Sequence, residues 1–307
     1  MQTNQKKTIL KTDEKPATIV EQACEKVPGF TGLYNELERS ITINGKSESA
    51  LTNYSRQLAH LALHYNRMPL ELDADEVMDY LYLLKNTESI SDSFFNFTIH
   101  GMRYACKMRG LPYTQFSLPE LKGPKKLPVV LNGPELKAML KACRLLKHKL
   151  IISMCYDCGL RSSEVQYLQV AHIDTERMML HVHNGKGAKD RCVPLGKLLC
   201  QGIKRYMVEE VPDKYMFISN YGEPYTRAGI LWVVKEAAKK AGIIKDVHTH
   251  TLRHSYATHL LENGVNIMQI KELLGHKQIE TTMIYLHVAR PASCSVLSPP
   301  DILYGIK

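Results

Sequence analysis

Nowhere does the chain hold the ~18 consecutive apolar residues that a membrane span needs. Its opening stretch, MQTNQKKTILKTDEKPATIV, lacks the apolar block of a secretory signal, so a cytoplasmic protein with no membrane partner is expected. A P-loop is missing, and so is H-E-x-x-H. Nor do carboxylates cluster as they do where two magnesium ions are held for phosphodiester chemistry, so no metal and no other cofactor is expected. Of the eight cysteines, Cys24, Cys106, Cys143, Cys155, Cys158, Cys192, Cys200 and Cys294, only Cys155 and Cys158 sit at a C-x-x-C spacing. That pair has no second half and lies in the apolar run IISMCYDCGL, which predicts buried free thiols.

What is present is enough for a real core and two domains: 307 residues, 44% of them hydrophobic. Forty Lys and Arg against 31 Asp and Glu give a net charge of +9, which favours a polyanionic partner such as nucleic acid.

Residues 1–26 are polar and lysine-rich and read as a flexible arm. From 27 to 111 the pattern is helical: Tyr54, Leu58, Leu61 and Tyr65 share a face, as do Val77, Tyr80, Leu81 and Leu84, and then Phe95, Ile99, Met102 and Cys106. The last of these helices carries Arg103, Lys107 and Arg109, which either follow a DNA backbone or form an ordinary solvated face. Five prolines between 112 and 134 rule out a continuous helix or strand, so residues 112–130, with Lys125 and Lys126 in KGPKKLP, are read as a basic interdomain linker. A second lobe, 131–290, has helical stripes at Leu136, Leu140 and Cys143, at Ile230, Val233, Val234 and Ala237, and at Ile267, Ile270 and Leu274. Within it, RMMLHVHNGKGAKDRCVPL alternates about Asn184-Gly185-Lys186-Gly187, a β-hairpin signature. A tail follows at 291–307.

Four pieces of the second lobe are richer in Arg, Lys, His and Tyr than packing requires. In Gly159-Leu160-Arg161-Ser162-Ser163-Glu164, Ser162 or Ser163 reads as a helix cap with Arg161 at its mouth, a place that suits phosphate. Taken alone, such an arginine is more often a surface residue or half of an ion pair. Lys186 sits at the hairpin tip, able to enter a groove or simply to be solvated. His250 and Arg253 lie three apart on one helical face in HTHTLRHSYATHLLENG, where His248, His254 and His259 have no convincing zinc spacing. His276 follows a Gly275 helix stop, and Tyr285 comes nine residues later on the next helix.

Together, Arg161, Lys186, His250, Arg253, His276 and Tyr285, set in G-L-R-x-x-E, G-K-G, H-T-L-R-H-S-x-A-T-H-L-L, L-L-G-H and Y-x-H-V, resemble the tyrosine recombinase (phage integrase) family. The likeness spans about 135 residues of the second lobe. It implies a mainly α fold with a small antiparallel sheet in a catalytic domain, preceded by a helical core-binding domain, the two forming a clamp on DNA. It also implies that Tyr285 attacks a phosphodiester to form a 3′-phosphotyrosine. Arg161 and Arg253 then suit stabilisation of charge on the phosphorane, His250 is the candidate base, Lys186 protonates the leaving 5′ oxygen, and His276 orients the phosphate. Such a link conserves the energy of the broken bond, so no ATP or metal is called for. The implied partners are double-stranded recombination sites and, in synapsis, a homotetramer of a protein monomeric or dimeric in solution, with an accessory DNA-bending protein as an option. The implied location is a prokaryotic cytoplasm, at the nucleoid.

A type IB topoisomerase-like swivelase uses similar groups, but the compact L-L-G-H to Y-x-H-V segment resembles recombinases more closely. A non-catalytic DNA-binding regulator is the alternative from another class, and an intact set of six residues speaks against it. Within the recombinases, the ending ARPASCSVLSPPDILYGIK, with Pro291, Pro299 and Pro300, departs from the final helix of many relatives. It favours a mobile-element integrase or transposase over an Xer-type resolvase of chromosome dimers.

Overall fold

A computed structural model describes residues 17–87, 90–114, 127–183 and 190–289. The chain divides into two compact units, 1–125 and 126–307. Among the described residues it is mostly helical with a single three-stranded antiparallel sheet.

The first unit holds α1 (Ile19–Lys26), α2 (Phe30–Ile43), α3 (Glu48–Tyr65), α4 (Ala74–Thr87) and α5 (Asp92–Met108). Helix α1 corrects the sequence expectation of a flexible arm through residue 26. Thr18 and Glu21 close a capping box, and Ile19, Ala23 and Val27, spaced by four, turn one face onto the core. The lysines that made the arm read as disordered precede this helix. The other stripes behave as periodicity predicts: Leu58, Leu61, Val77, Tyr80, Leu81, Phe95, Ile99, Met102 and Cys106 are all buried.

The second unit holds α6 (Gly133–Ala142), α7 (Leu146–Asp157), α8 (Ser162–Gln166), strands β1 (Ile173–Asp174), β2 (Met179–Val182) and β3 (Arg191–Pro194), α9 (Lys197–Glu210), α10 (Arg227–Lys240), α11 (Thr249–Glu262), α12 (Ile267–Leu274) and α13 (Glu280–Met283). Strands β2 and β3 form the expected hairpin, with Val182 opposite Arg191 and Leu180 opposite Val193. Its tip, with Lys186, lies outside the described residues, as do Lys125, Lys126 and the 291–307 tail.

Helix α11 runs through the middle of this unit. It buries Thr251, Leu252, Arg253, Ser255, Tyr256, Ala257 and Thr258, so it is enclosed around its circumference instead of on one stripe. Against it pack α7, α12 and the turn that carries Tyr285. Cys155 and Cys158 are free thiols fully buried in the same core, and burial drives the Cys155 thiol up to about 12.

Candidate active site

The site is built where α11 meets three chain turns. The first follows α7, where Gly159 has φ +58° and an added Cβ would come within 2.6 Å of the Tyr256 ring. Only glycine allows the chain to reverse there and deliver Arg161 to the start of α8. Arg161 itself, extended at φ −75° and ψ 156°, occupies the cap position expected for Ser162 or Ser163. Glu164, at the third helical position, fixes this entry: its carboxylate accepts the Arg161 backbone N–H at 2.9 Å, the back-reaching half of a capping box.

Glu164 then gathers the cations. Its Oε1 accepts from Arg161 Nη1 at 2.8 Å, and Arg191, on β3, donates to both carboxylate oxygens at 2.9 and 2.8 Å. Arg253 Nη1 lies 4.0 Å away. Burial by itself would raise the Glu164 pKa, but the hydrogen bonds and charge of Arg191, with help from Arg161, hold it at about 2. Three guanidiniums around one carboxylate leave surplus positive charge at the site.

Arg253 is 2% exposed. It donates to the carbonyl of Gly159 and, at 2.6 Å, to that of Leu274, tying the α7–α8 turn to the end of α12. Burial and the nearby Arg161 lower its pKa to about 9, with Glu164 opposing, so the group remains a cation at neutral pH. The second turn is the end of α12, where Gly275 adopts φ +64° as the expected helix stop. His276 follows and engages Thr282 through Nδ1 at 2.9 Å, which leaves Nε2 as the nitrogen for a ligand. Burial, Arg253, Arg161 and Arg191 depress the His276 pKa to about 3, so its ring is neutral.

Tyr285 sits on the third turn, a single 3₁₀ turn over Ile284–His287 that extends the four-residue α13. The residue is 1% exposed, yet it lines an open cleft of about 620 Å³ together with Arg161, His250, Arg253, His254 and His276. Burial raises the Tyr285 pKa while Arg253 and Arg161 pull against that, so the phenol keeps its proton in the free protein.

Five of the six residues expected from the sequence therefore converge on one cleft, and the sixth, Lys186, is outside the described residues. The phenol hydroxyl is hydrogen-bonded to His254 Nδ1 at 3.0 Å. Sequence reasoning had set this histidine aside as lacking zinc spacing, although its i, i+4 relation to His250 was a signal that both face the same way. Arg191 was also passed over; the buried glutamate of G-L-R-x-x-E, in need of a cation, was the hint. Of the candidate DNA contacts, Lys107 is exposed and Arg103 half-buried on α5, while Arg109 is paired with Glu36 at 2.9 Å.

Residues 130–291 match the phage integrase family. A tyrosine recombinase of Thermosipho africanus is 34% identical over 262 residues, covering 79% of this chain and 90% of its own length. The tyrosine recombinase XerA of Thermococcus onnurineus is also 34% identical, over 259 residues, covering 82% and 89%. In fold, the chain is similar to the integrase of transposon Tn1549, solved with a circular intermediate DNA, at a TM-score of 0.67 and 15% identity over 89% of this chain and 99% of that one. A lambda integrase dimer bound to a core site gives 0.66 at 17% identity, over 82% and 96%. The chain thus belongs to the phage integrase family of tyrosine recombinases, enzymes that cleave and rejoin DNA.

Proposed function

We propose that this chain is a site-specific recombinase in which Tyr285 displaces a 5′ oxygen from a DNA phosphate, and that it serves a mobile element. The observation that carries the first part is the convergence of the Tyr285 hydroxyl with Arg161, Arg253, His250 and His276 on one cleft. As the phenol attacks, negative charge builds on the non-bridging oxygens, and fixed guanidiniums favour that state over the ground state. Arg161 and Arg253 are held by carboxylate and carbonyl partners before DNA arrives, so little reorganisation is needed. His276 orients the phosphate through Nε2, and Lys186 delivers the proton to the leaving 5′ oxygen.

The substrate is double-stranded DNA, in line with the DNA complexes of the Tn1549 and lambda integrases. Arg103, Lys107, Lys125 and Lys126 contact its phosphates, and four protomers meet in synapsis. The mobile-element role rests on the sequence of residues 291–307, with its prolines at 291, 299 and 300. A second role, resolution of chromosome dimers, draws on the 34% identity to the XerA of Thermococcus onnurineus.

The decisive experiment incubates the full chain with linear duplexes containing a randomised window and traps protein–DNA adducts in detergent. Wild type should yield an adduct and Tyr285→Phe none, at equal DNA affinity; an adduct that survives this substitution overturns the reading. Recircularised DNA from the gene's flanks would indicate mobility, and exchange confined to one chromosomal site would indicate resolution.

A further inference from the structure

His254 is a half-buried imidazole in direct contact with the nucleophile, and none of the roles above uses it. Its Nδ1 lies 3.0 Å from the Tyr285 hydroxyl, with the two rings 5.7 Å apart, and the His250 ring, one turn earlier on the same helix, is centred 6.2 Å from that of His254. Resting on the recombinase reading, we propose that His254, in place of His250, accepts the Tyr285 hydrogen bond through Nδ1, aims the phenol at phosphorus and takes its proton as the Oη–P bond forms.

The contact fits such a step. A phenol that donates its proton sideways to Nδ1 keeps an oxygen lone pair free for phosphorus, and fixing one rotamer of the nucleophile removes an entropic cost from the attack. In the balanced reaction, the Oη–P bond forms and the P–O5′ bond breaks. The phenolic proton moves to His254, which becomes an imidazolium protonated on both nitrogens, and Lys186 supplies a separate proton to the 5′ oxygen. Rejoining reverses each transfer. His250 is then left to donate to the phosphate.

Charge explains why this transfer waits for DNA. His254 faces His250 and Arg253 on its own helix, Tyr285 from the following turn and His276 from the end of α12. Burial first, then His250 and Arg253, lower its pKa to about 4, so in the free protein it cannot draw the proton from a phenol whose own pKa is raised. A phosphodiester seated between Arg161 and Arg253 brings a negative charge that grows as the phosphorane forms. That charge offsets the cations that disfavour an imidazolium, so the base gains strength when a scissile phosphate is present.

The test uses the full chain and the duplex sequence selected above, remade with a nick so that single-turnover adduct formation is irreversible. His254→Phe should slow the adduct by about a hundredfold or more, the usual weight of general-base catalysis, with unchanged mobility-shift affinity. His254→Gln, which restores an acceptor but no titrating group, should recover part of the rate and lose the acid limb of the wild-type pH profile. A duplex with sulfur as the bridging 5′ atom leaves without a proton, so it should rescue Lys186→Ala and not His254→Phe. The proposal is overturned if His254→Phe keeps a rate within about threefold of wild type, if sulfur rescues it, or if His254→Gln retains the acid limb. Should His254→Phe fail to fold, the His254→Gln profile decides. A wild type that forms no adduct, or a Tyr285→Phe variant that still does, instead sinks the recombinase reading and this proposal with it.

Discussion

The two units bury different things. Among the described residues of the first, the buried polar side chains are neutral: Ser55, Gln57 and Thr98, whose single hydroxyl proton is shared between Gln57 Oε1 at 3.3 Å and the Phe94 carbonyl at 3.0 Å. The second buries Arg253, and the side chains of Glu164 and Arg191 are only 5% and 7% exposed. Desolvating charge costs several kcal/mol per group unless partners compensate, and apolar residues of equal volume would hold a fold as well or better. A cluster of cations built into one core and not the other therefore marks where an anion is handled.

The sharpest way to break this contrast is at its centre. Arg253→Met should leave the carbonyls of Gly159 and Leu274 without their donor and remove one phosphate contact. Adduct formation should fall by about 10²–10³-fold, equivalent to roughly 2.7–4 kcal/mol, measured under single turnover. Next comes the pairing itself. Glu164→Gln strands Arg161 and Arg191, so urea unfolding of the second unit should lose about 3–5 kcal/mol. Gln57→Leu, its counterpart in the first unit, should cost only about 1 kcal/mol, because Thr98 keeps its bond to Phe94. Equal losses from these two substitutions would erase the distinction.

Acid should separate the units by a smaller margin. His254 and His276 titrate near 4 and 3 in the folded protein against 6.5 as their ordinary value, so the unfolded chain binds more protons below 6.5. Stability then falls as pH drops from 6.5 toward 4. Glu164, held at about 2 against 4.5, adds to the loss only as pH falls through that lower window. With both rings partly solvent-screened, the histidine pair should remove on the order of 3 kcal/mol from the second unit by pH 4.5. Hydrogen exchange, corrected for intrinsic rate, should show protection in α11 falling more than in α3. A bound DNA phosphate, by raising both histidines, should shrink the difference.

Much of this was legible in the chain. Stripes of period 3.6 located α3, α4 and α5 because each turns one apolar face inward, and the alternation about Asn184-Gly185 located the hairpin. Helix α11 gave no stripe, since it is enclosed on all sides and its buried Thr249, Thr251, Ser255 and Thr258 read as polar. Helix α1 was hidden by the lysines before it, although Thr18 and Glu21 spelled its capping box. Motif order, through its likeness to the tyrosine recombinases, picked out five residues of the cleft but not His254.

By itself the sequence determined which side chains are available: two arginines, a tyrosine, and histidines at helical spacing, with glycines at the 159 and 275 reversals that shape the cleft. Only the tertiary structure decided which imidazole touches the phenol, and that Glu164 shares its carboxylate between Arg161 and Arg191. Apart from the Arg161–Glu164 pair, which is local, those choices depend on contacts between residues 27 to 82 positions apart, such as Arg191 with Leu273, which packing sets and local spacing cannot encode.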